Sequence, residues 1–215
     1  MPSLLTDVEV RILGSLIEKE STTPDAYPLS LNALVNACNQ SSNRDPVMEL
    51  GEDAVRWAIN NLRQQSLVRA VQHSASRVMK YQQLMTETKD LDTRELGAMC
   101  VLMLRGPQTT GEIKGTAHRL AEFSTLTDVE TTMSGLIARE LVVPLPRRPG
   151  QKEARYAHLL SGPITGEEGD AEGHAMMTAL RGDERIIALE ATVQEMRDEL
   201  LALRTRFEEF TRQFG

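Results

Sequence analysis

The chain has 215 residues, 40% of them apolar and 26% charged, with a formal net charge of −7, which suits one or two soluble globular domains. Its two cysteines, Cys38 and Cys100, lie far apart and argue against a disulfide framework or a zinc site, so both read as buried, reduced thiols. No basic stretch opens the chain and its longest apolar run, roughly Leu96 to Leu104, is too short to cross a bilayer, so a cytoplasmic protein with no membrane partner is expected.

The predicted elements begin at Leu5-Thr6-Asp7-Val8-Glu9, where an N-cap residue is followed three places later by glutamate, the spacing of a capping box. Val8, Ile12, Leu13, Leu16 and Ile17 then repeat at helical spacing. A second helix is expected from Ser30 to about Asn39. The polar stretch Asn39 to Met48 follows, longer than a helix-turn-helix needs, and it leads into a third helix from about Glu52 to Gln65 with Val55, Ile59 and Leu62 inward. Strand-like segments Leu67 to Val71 and Val78 to Leu84 flank a turn over Gln72 to Ser76.

The same order then recurs. Leu91-Asp92-Thr93-Arg94-Glu95 repeats the capping signal, ahead of Leu96, Met99, Cys100, Leu102 and Met103 at helical spacing. A second helix runs from Thr109 to about Leu120, and a third from about Asp128 to Glu140 with Val129, Met133 and Leu136 inward. Strands Leu141 to Leu145 and Ala154 to Leu160 enclose a turn over Pro146 to Lys152, and both return strands carry a basic residue before tyrosine, Lys80-Tyr81 and Arg155-Tyr156. Three helices and a hairpin make a winged helix-turn-helix. The predicted fold is mainly α with small β-hairpin wings, as two tandem winged helix-turn-helix domains over residues 1–88 and 89–162.

An acidic flexible linker is predicted over 163–182 and a coiled-coil helix over 183–215. Ile186, Leu189, Val193, Met196, Leu200, Leu203, Phe207, Phe210 and Phe214 step alternately by three and four, an a/d seam about 40 Å long at helical rise. Arg185 with Glu190 and Glu199 with Arg204 are opposite in sign at g and e′, as a parallel homodimer requires. The other reading is a helix folded back onto its own domains. Charge separates along the chain, with sums of −2 over residues 1–88, +1 over 89–160 and −6 over 161–215.

At Thr22-Thr23-Pro24-Asp25-Ala26-Tyr27-Pro28-Leu29-Ser30-Leu31-Asn32, through Ala37-Cys38-Asn39-Gln40 and Asn43-Arg44-Asp45-Pro46-Val47-Met48, the sequence resembles the YceH-like family of uncharacterised bacterial proteins. The resemblance continues at Leu104-Arg105-Gly106-Pro107-Gln108-Thr109 and Glu153-Ala154-Arg155-Tyr156-Ala157-His158-Leu159, covering about residues 4 to 162. It implies a tandem winged-helix fold and no activity. Gly51 stands where that family often has serine, which weakens the N-cap of the third helix.

No catalytic constellation is legible. The four histidines, His73, His118, His158 and His174, show no ligand spacing, and no phosphate loop or nucleophile elbow occurs, so neither enzymatic function nor a cofactor is expected. Aromatic residues make up only 4%, too few for a single-strand stacking platform.

In a DNA-binding winged helix the third helix reads base edges and the wing contacts phosphate. On the first third-helix, Trp57, Asn60, Asn61 and Gln64 point outward with Arg56 and Arg63 on the flank, and Asn, Gln and Arg suit bidentate base contacts. The wings add Arg69, His73, Arg77 and Lys80 in the first copy and Arg147, Arg148, Lys152 and Arg155 in the second. Arg44, in the polar stretch, either contacts nucleic acid or helps to cap helix ends. The second third-helix turns Thr131, Ser134, Gly135 and Ala138 outward, a small face suited to docking on a domain or subunit. The leading expectation is a homodimeric protein that binds double-stranded DNA, a transcriptional regulator. The alternative is a scaffold for a protein partner, like the tandem winged-helix chromosome-segregation adaptor ScpB, with no direct DNA binding.

Overall fold

In the computed structural model, which describes residues 4–72, 78–147 and 153–163, the first helix is α1 (Asp7–Thr22). Thr6 caps it: the hydroxyl accepts from the Glu9 amide and the Glu9 carboxylate accepts from the Thr6 amide, so the box expected at this position is formed. A short 3-10 turn, Pro24–Ala26, leads to strand β1 (Leu29–Ser30), then α2 (Leu31–Cys38), α3 (Glu52–Gln64), β2 (Val68–Val71), β3 (Lys80–Gln83) and a short helix α4 (Met85–Lys89). The second half runs α5 (Thr93–Arg105), β4 (Gln108–Thr109), α6 (Thr110–Ala117), α7 (Leu126–Ala138), β5 (Val142–Pro144) and β6 (Arg155–His158). Helices with small antiparallel sheets, in this order, are compatible with winged-helix-like folds. Arg77, Arg148, Lys152, nearly all of the expected linker and the whole 183–215 helix lie outside the described residues.

The two halves match in detail. Each has a three-stranded sheet in which the last strand is central, with order β1-β3-β2 and β4-β6-β5. Lys80 of β3 stands opposite Ser30, and Arg155 of β6 opposite Thr109, so in both halves the basic residue pairs with the residue that caps the next helix. The hairpins were expected, whereas β1 and β4, two residues each, were not. Both α3 and α7 end in the same motif. The Leu67 amide donates to the Leu62 carbonyl at 2.9 Å and the Leu141 amide to the Leu136 carbonyl at 3.0 Å. In each case the residue before is left-handed, Ser66 at φ 59° and Glu140 at φ 55°.

Several helix bounds move by a turn or less. Helix α7 starts at Leu126 because Thr125 is its cap and Asp128 the partner in the box, not the first helical residue. Helix α6 closes at Ala117, whose carbonyl accepts from both the Leu120 and Ala121 amides. Between the halves, Gln83 Oε1 accepts from the Met85 amide at 2.6 Å, which supports α4 where only a connection was expected.

Helix α1 is buried through Ile12, Leu13, Gly14, Ser15, Leu16 and Ile17, on every face along its middle. A helix apolar all round needs neighbours on all sides. It packs against α2 and α3 of its own half and against α5 of the other, so one continuous core spans both. Where α1 and α5 meet, the Cys100 thiol donates to the Gly14 carbonyl at 3.3 Å. A β-carbon on Gly14 would lie 2.8 Å from Leu104 Cδ2 and 3.2 Å from Met103 Cβ, so the close approach requires glycine. The offset of 86 residues between Gly14 and Cys100 is also the offset between the two helix caps, Thr6 and Asp92.

Candidate nucleic-acid interface

Helix α3 begins without a side-chain cap, because its N-cap residue is Gly51, and its first turn carries Glu52 and Asp53, which favour the positive end of the helix dipole. Val55, Ala58, Ile59 and Leu62 face the core. Arg56, Trp57, Asn60, Arg63 and Gln64 are exposed and Asn61 is half-buried, so the face expected to point outward does so. Arg56 forms an ion pair with Glu52 one turn back, between two exposed side chains, an arrangement worth little energy. The side chains of Asn60, Asn61, Arg63 and Gln64 make no hydrogen bond with any described residue. Trp57 is 51% exposed in the middle of this face.

Arg44 is placed differently from the other candidates. Its side chain is 0% exposed and sits in the polar stretch between α2 and α3, where it works inward. It donates to both carboxylate oxygens of Glu18 at 3.0 and 2.6 Å, to the Ala37 carbonyl in the last turn of α2 and to the Asn43 carbonyl. In this arrangement it is unavailable to a phosphate, and it fills the capping role instead. Asn39 closes the same stretch, exchanging two hydrogen bonds with the Leu50 backbone at 2.8 and 2.9 Å. Burial alone would raise the Glu18 carboxyl's pKa, but the Arg44 hydrogen bonds and charge outweigh it and hold the group below the usual range. Beside it, buried Arg11 donates to the Cys38 and Pro46 carbonyls at 3.1 and 2.6 Å.

Of the wing cations, Arg69 on β2 is exposed and lies 3.5 Å from Glu87. Lys80 is half-buried on β3, Arg147 is exposed after β5, and Arg155 is half-buried on β6. The structure thus gathers α3 and the β2-β3 hairpin in the first half, while Arg155 lies on the separate sheet of the second and Arg147 just beyond its strand β5.

Helix α7, the counterpart of α3, presents another chemistry. Thr131, Ser134 and Ala138 are exposed and Gly135 is half-buried. The Thr131 hydroxyl donates to the Thr127 carbonyl at 2.9 Å and the Ser134 hydroxyl to the Glu130 carbonyl at 2.8 Å. Donors turned onto their own backbone are not presented to a groove. Ile186, Leu189, Val193, Met196, Leu200, Leu203, Phe207 and Phe210, the expected interface of the C-terminal helix, lie outside the described residues.

Both cysteines are free and buried, as expected, and burial pushes the Cys38 thiol up to about 11 and the Cys100 thiol higher still. Among the described residues no helix is long and apolar enough to cross a membrane, and no cluster of His, Cys, Asp or Glu could hold a metal ion. Sequence reasoning passed over Lys19, Arg105 and Arg119, which line a common cleft. They come from three separate segments, and although Arg105 falls in the Leu104-to-Thr109 stretch that carries the family resemblance, nothing local links it to Lys19 or Arg119.

The family described as "Protein of unknown function, DUF480" matches residues 5–151. The chain is 47% identical to a UPF0502 protein of Pelobacter propionicus over the whole of both chains. It is 48% identical to a UPF0502 protein of Koribacter versatilis, covering 91% of this chain and 92% of that one. A UPF0502 protein of Vibrio vulnificus is 45% identical over 95% of this chain and 97% of its own. These are uncharacterised bacterial proteins, as the motif between Thr22 and Met48 implied. With two thirds of its length matched by the family and relatives alike from end to end, the chain belongs to the DUF480 family, whose members carry the name UPF0502.

Proposed function

We propose that the protein is a non-enzymatic, cytoplasmic DNA-binding protein, a transcriptional regulator, built from two winged-helix domains in tandem over residues 1–88 and 89–162 and paired through its C-terminal helix. The observation that carries this reading is the face of α3, where Asn60, Asn61, Arg63 and Gln64 are unengaged by any described residue. Amide and guanidinium groups are the ones that form paired hydrogen bonds with adenine and guanine edges, and an engaged group would have to break a bond first. Arg69 and Lys80 on the adjoining hairpin supply cations for phosphate. The test is retention of the full chain on duplex DNA as salt is raised. Binding should weaken with a log-log slope of roughly −0.9 for each phosphate contacted. Asn60→Ala and Arg63→Ala should each cost about 1–3 kcal/mol on a preferred site and little on random duplex. Absence of retention at low salt would defeat the reading.

A second reading is favoured by α7. Its exposed face of Thr131, Ser134 and Ala138, with both hydroxyls bonded to the helix backbone, suits close packing against a partner helix, as in a tandem winged-helix adaptor. Ala138→Arg would then abolish capture of that partner while leaving duplex retention unchanged.

A further inference from the structure

Where α1, the stretch after α2, α5 and the end of α6 converge, the folded unit contains a half-open cleft of 580 Å³. Small-molecule sites commonly occupy about 300–1,000 Å³. Val101, Leu104 and Leu120 give it an apolar floor, and its polar wall holds Lys19, Arg105 and Arg119 against one carboxylate, Glu18. That carboxylate is already held from outside the cleft by Arg44 through two hydrogen bonds at 3.0 and 2.6 Å. Three cations therefore share a recess whose only acid is neutralised.

Their arrangement is specific. Arg105 is the last residue of α5, and its guanidinium donates to Thr116 Oγ1 at 3.2 Å and to Asn43 Oδ1 at 2.7 Å, one acceptor from each half. Neutral acceptors fix the plane of the fork and leave its charge without an acidic partner among the described residues. Lys19 donates to Gln40 Oε1 at 3.3 Å, and the Glu18 oxygen 3.5 Å away is the one that Arg44 holds. Arg119 is exposed and makes no hydrogen bond or ion pair with a described residue. In a chain of net charge −7, a local positive excess in a concave site attracts anions and is relieved by them. With Thr116 and Asn43 taking two of its five N–H donors, Arg105 keeps the others for the oxygens of a carboxylate or phosphate, and Lys19 and Arg119 add two more cations beside it.

We infer that this cleft binds a small polyanionic metabolite bearing phosphate or carboxylate groups, with Arg105 as the oriented anchor, Lys19 and the exposed Arg119 as the flanking cations, and the apolar floor against the ligand's carbon skeleton. The inference stands apart from duplex binding by α3, since none of these residues belongs to that face.

The test is isothermal titration of the full chain in low-chloride buffer with pyrophosphate and, separately, with citrate, which distinguishes phosphate from carboxylate recognition. Saturable binding of at least one probe is expected. Arg119→Ala, which removes an exposed side chain with no bond to the fold, should weaken it about tenfold, the effect of one charge-assisted contact. Lys19→Gln combined with Arg119→Ala should bring binding below detection, and Arg69→Ala should leave it unchanged. Failure of both probes to bind at millimolar concentration would overturn the inference. So would undiminished binding in the double variant. Loss of duplex retention in that variant, with neither probe bound, would assign the cleft to nucleic-acid phosphate instead and likewise overturn it.

Discussion

Replacing Arg44 with alanine removes a guanidinium that is fully buried, together with its bonds to Glu18, Ala37 and Asn43. Truncating one partner of a buried ion pair typically costs about 3–5 kcal/mol, because the other charge is left without compensation. Here Glu18 keeps 13% exposure and has Lys19 at 3.5 Å, so water and a second cation take up part of the loss. The lower end, about 3 kcal/mol, is expected in urea denaturation with an unchanged m-value. The pH dependence carries a sign. Because Arg44 holds the Glu18 pKa below its ordinary value of 4.5, the folded wild type gains stability from this carboxylate above that pH and loses it as pH falls through the folded pKa. In Arg44→Ala burial, which disfavours the ionised form, is opposed by Lys19 alone of the two cations. The gap between wild type and variant should therefore be widest above about pH 5 and narrow in acid, where a protonated Glu18 no longer needs its partner. Duplex retention per folded molecule should not change. A loss below about 1 kcal/mol, or a gap independent of pH, would refute an inward structural role for Arg44.

Two further substitutions probe the framework. Gly14→Ala places a methyl 2.8 Å from Leu104 Cδ2 and 3.2 Å from Met103 Cβ. Overpacking by about 1–3 kcal/mol exceeds the helix-propensity gain of about 1 kcal/mol, so a net loss and a lower midpoint are expected in thermal denaturation. Glu140→Gly relieves a left-handed backbone at the end of α7, and should raise stability by about 0.5–1 kcal/mol in chemical denaturation.

The repeat was legible because its signals are local. Thr6 with Glu9 and Asp92 with Glu95 are capping boxes that the chain carries within four residues, and the structure forms both. The hairpins announced themselves by a change of period. Strands β1 and β4 could not, since two residues carry no period, and they exist only because β3 and β6 lie alongside. Helix α4 depends on Gln83, a residue with no helical signature of its own that reaches forward to the Met85 amide. Arg44 shows the limit most clearly. An arginine among asparagines and serines has the local character of a solvated loop, and what turns it inward is Glu18, 26 residues earlier on helix α1. The cleft was hidden for the same reason, because Lys19, Arg105 and Arg119 become neighbours only when α1 has packed on α5.

That packing has a consequence for assembly. Gly14 and Cys100 occupy corresponding places in the two halves, and they touch each other. Contact between a position and its own counterpart is also what identical subunits make at the axis of an isologous dimer. One chain thus carries inside itself the seam that two separate subunits would have to form by encounter. Its burial no longer depends on protein concentration: a contact between separate subunits would come apart on dilution, whereas this one persists as long as the chain is folded.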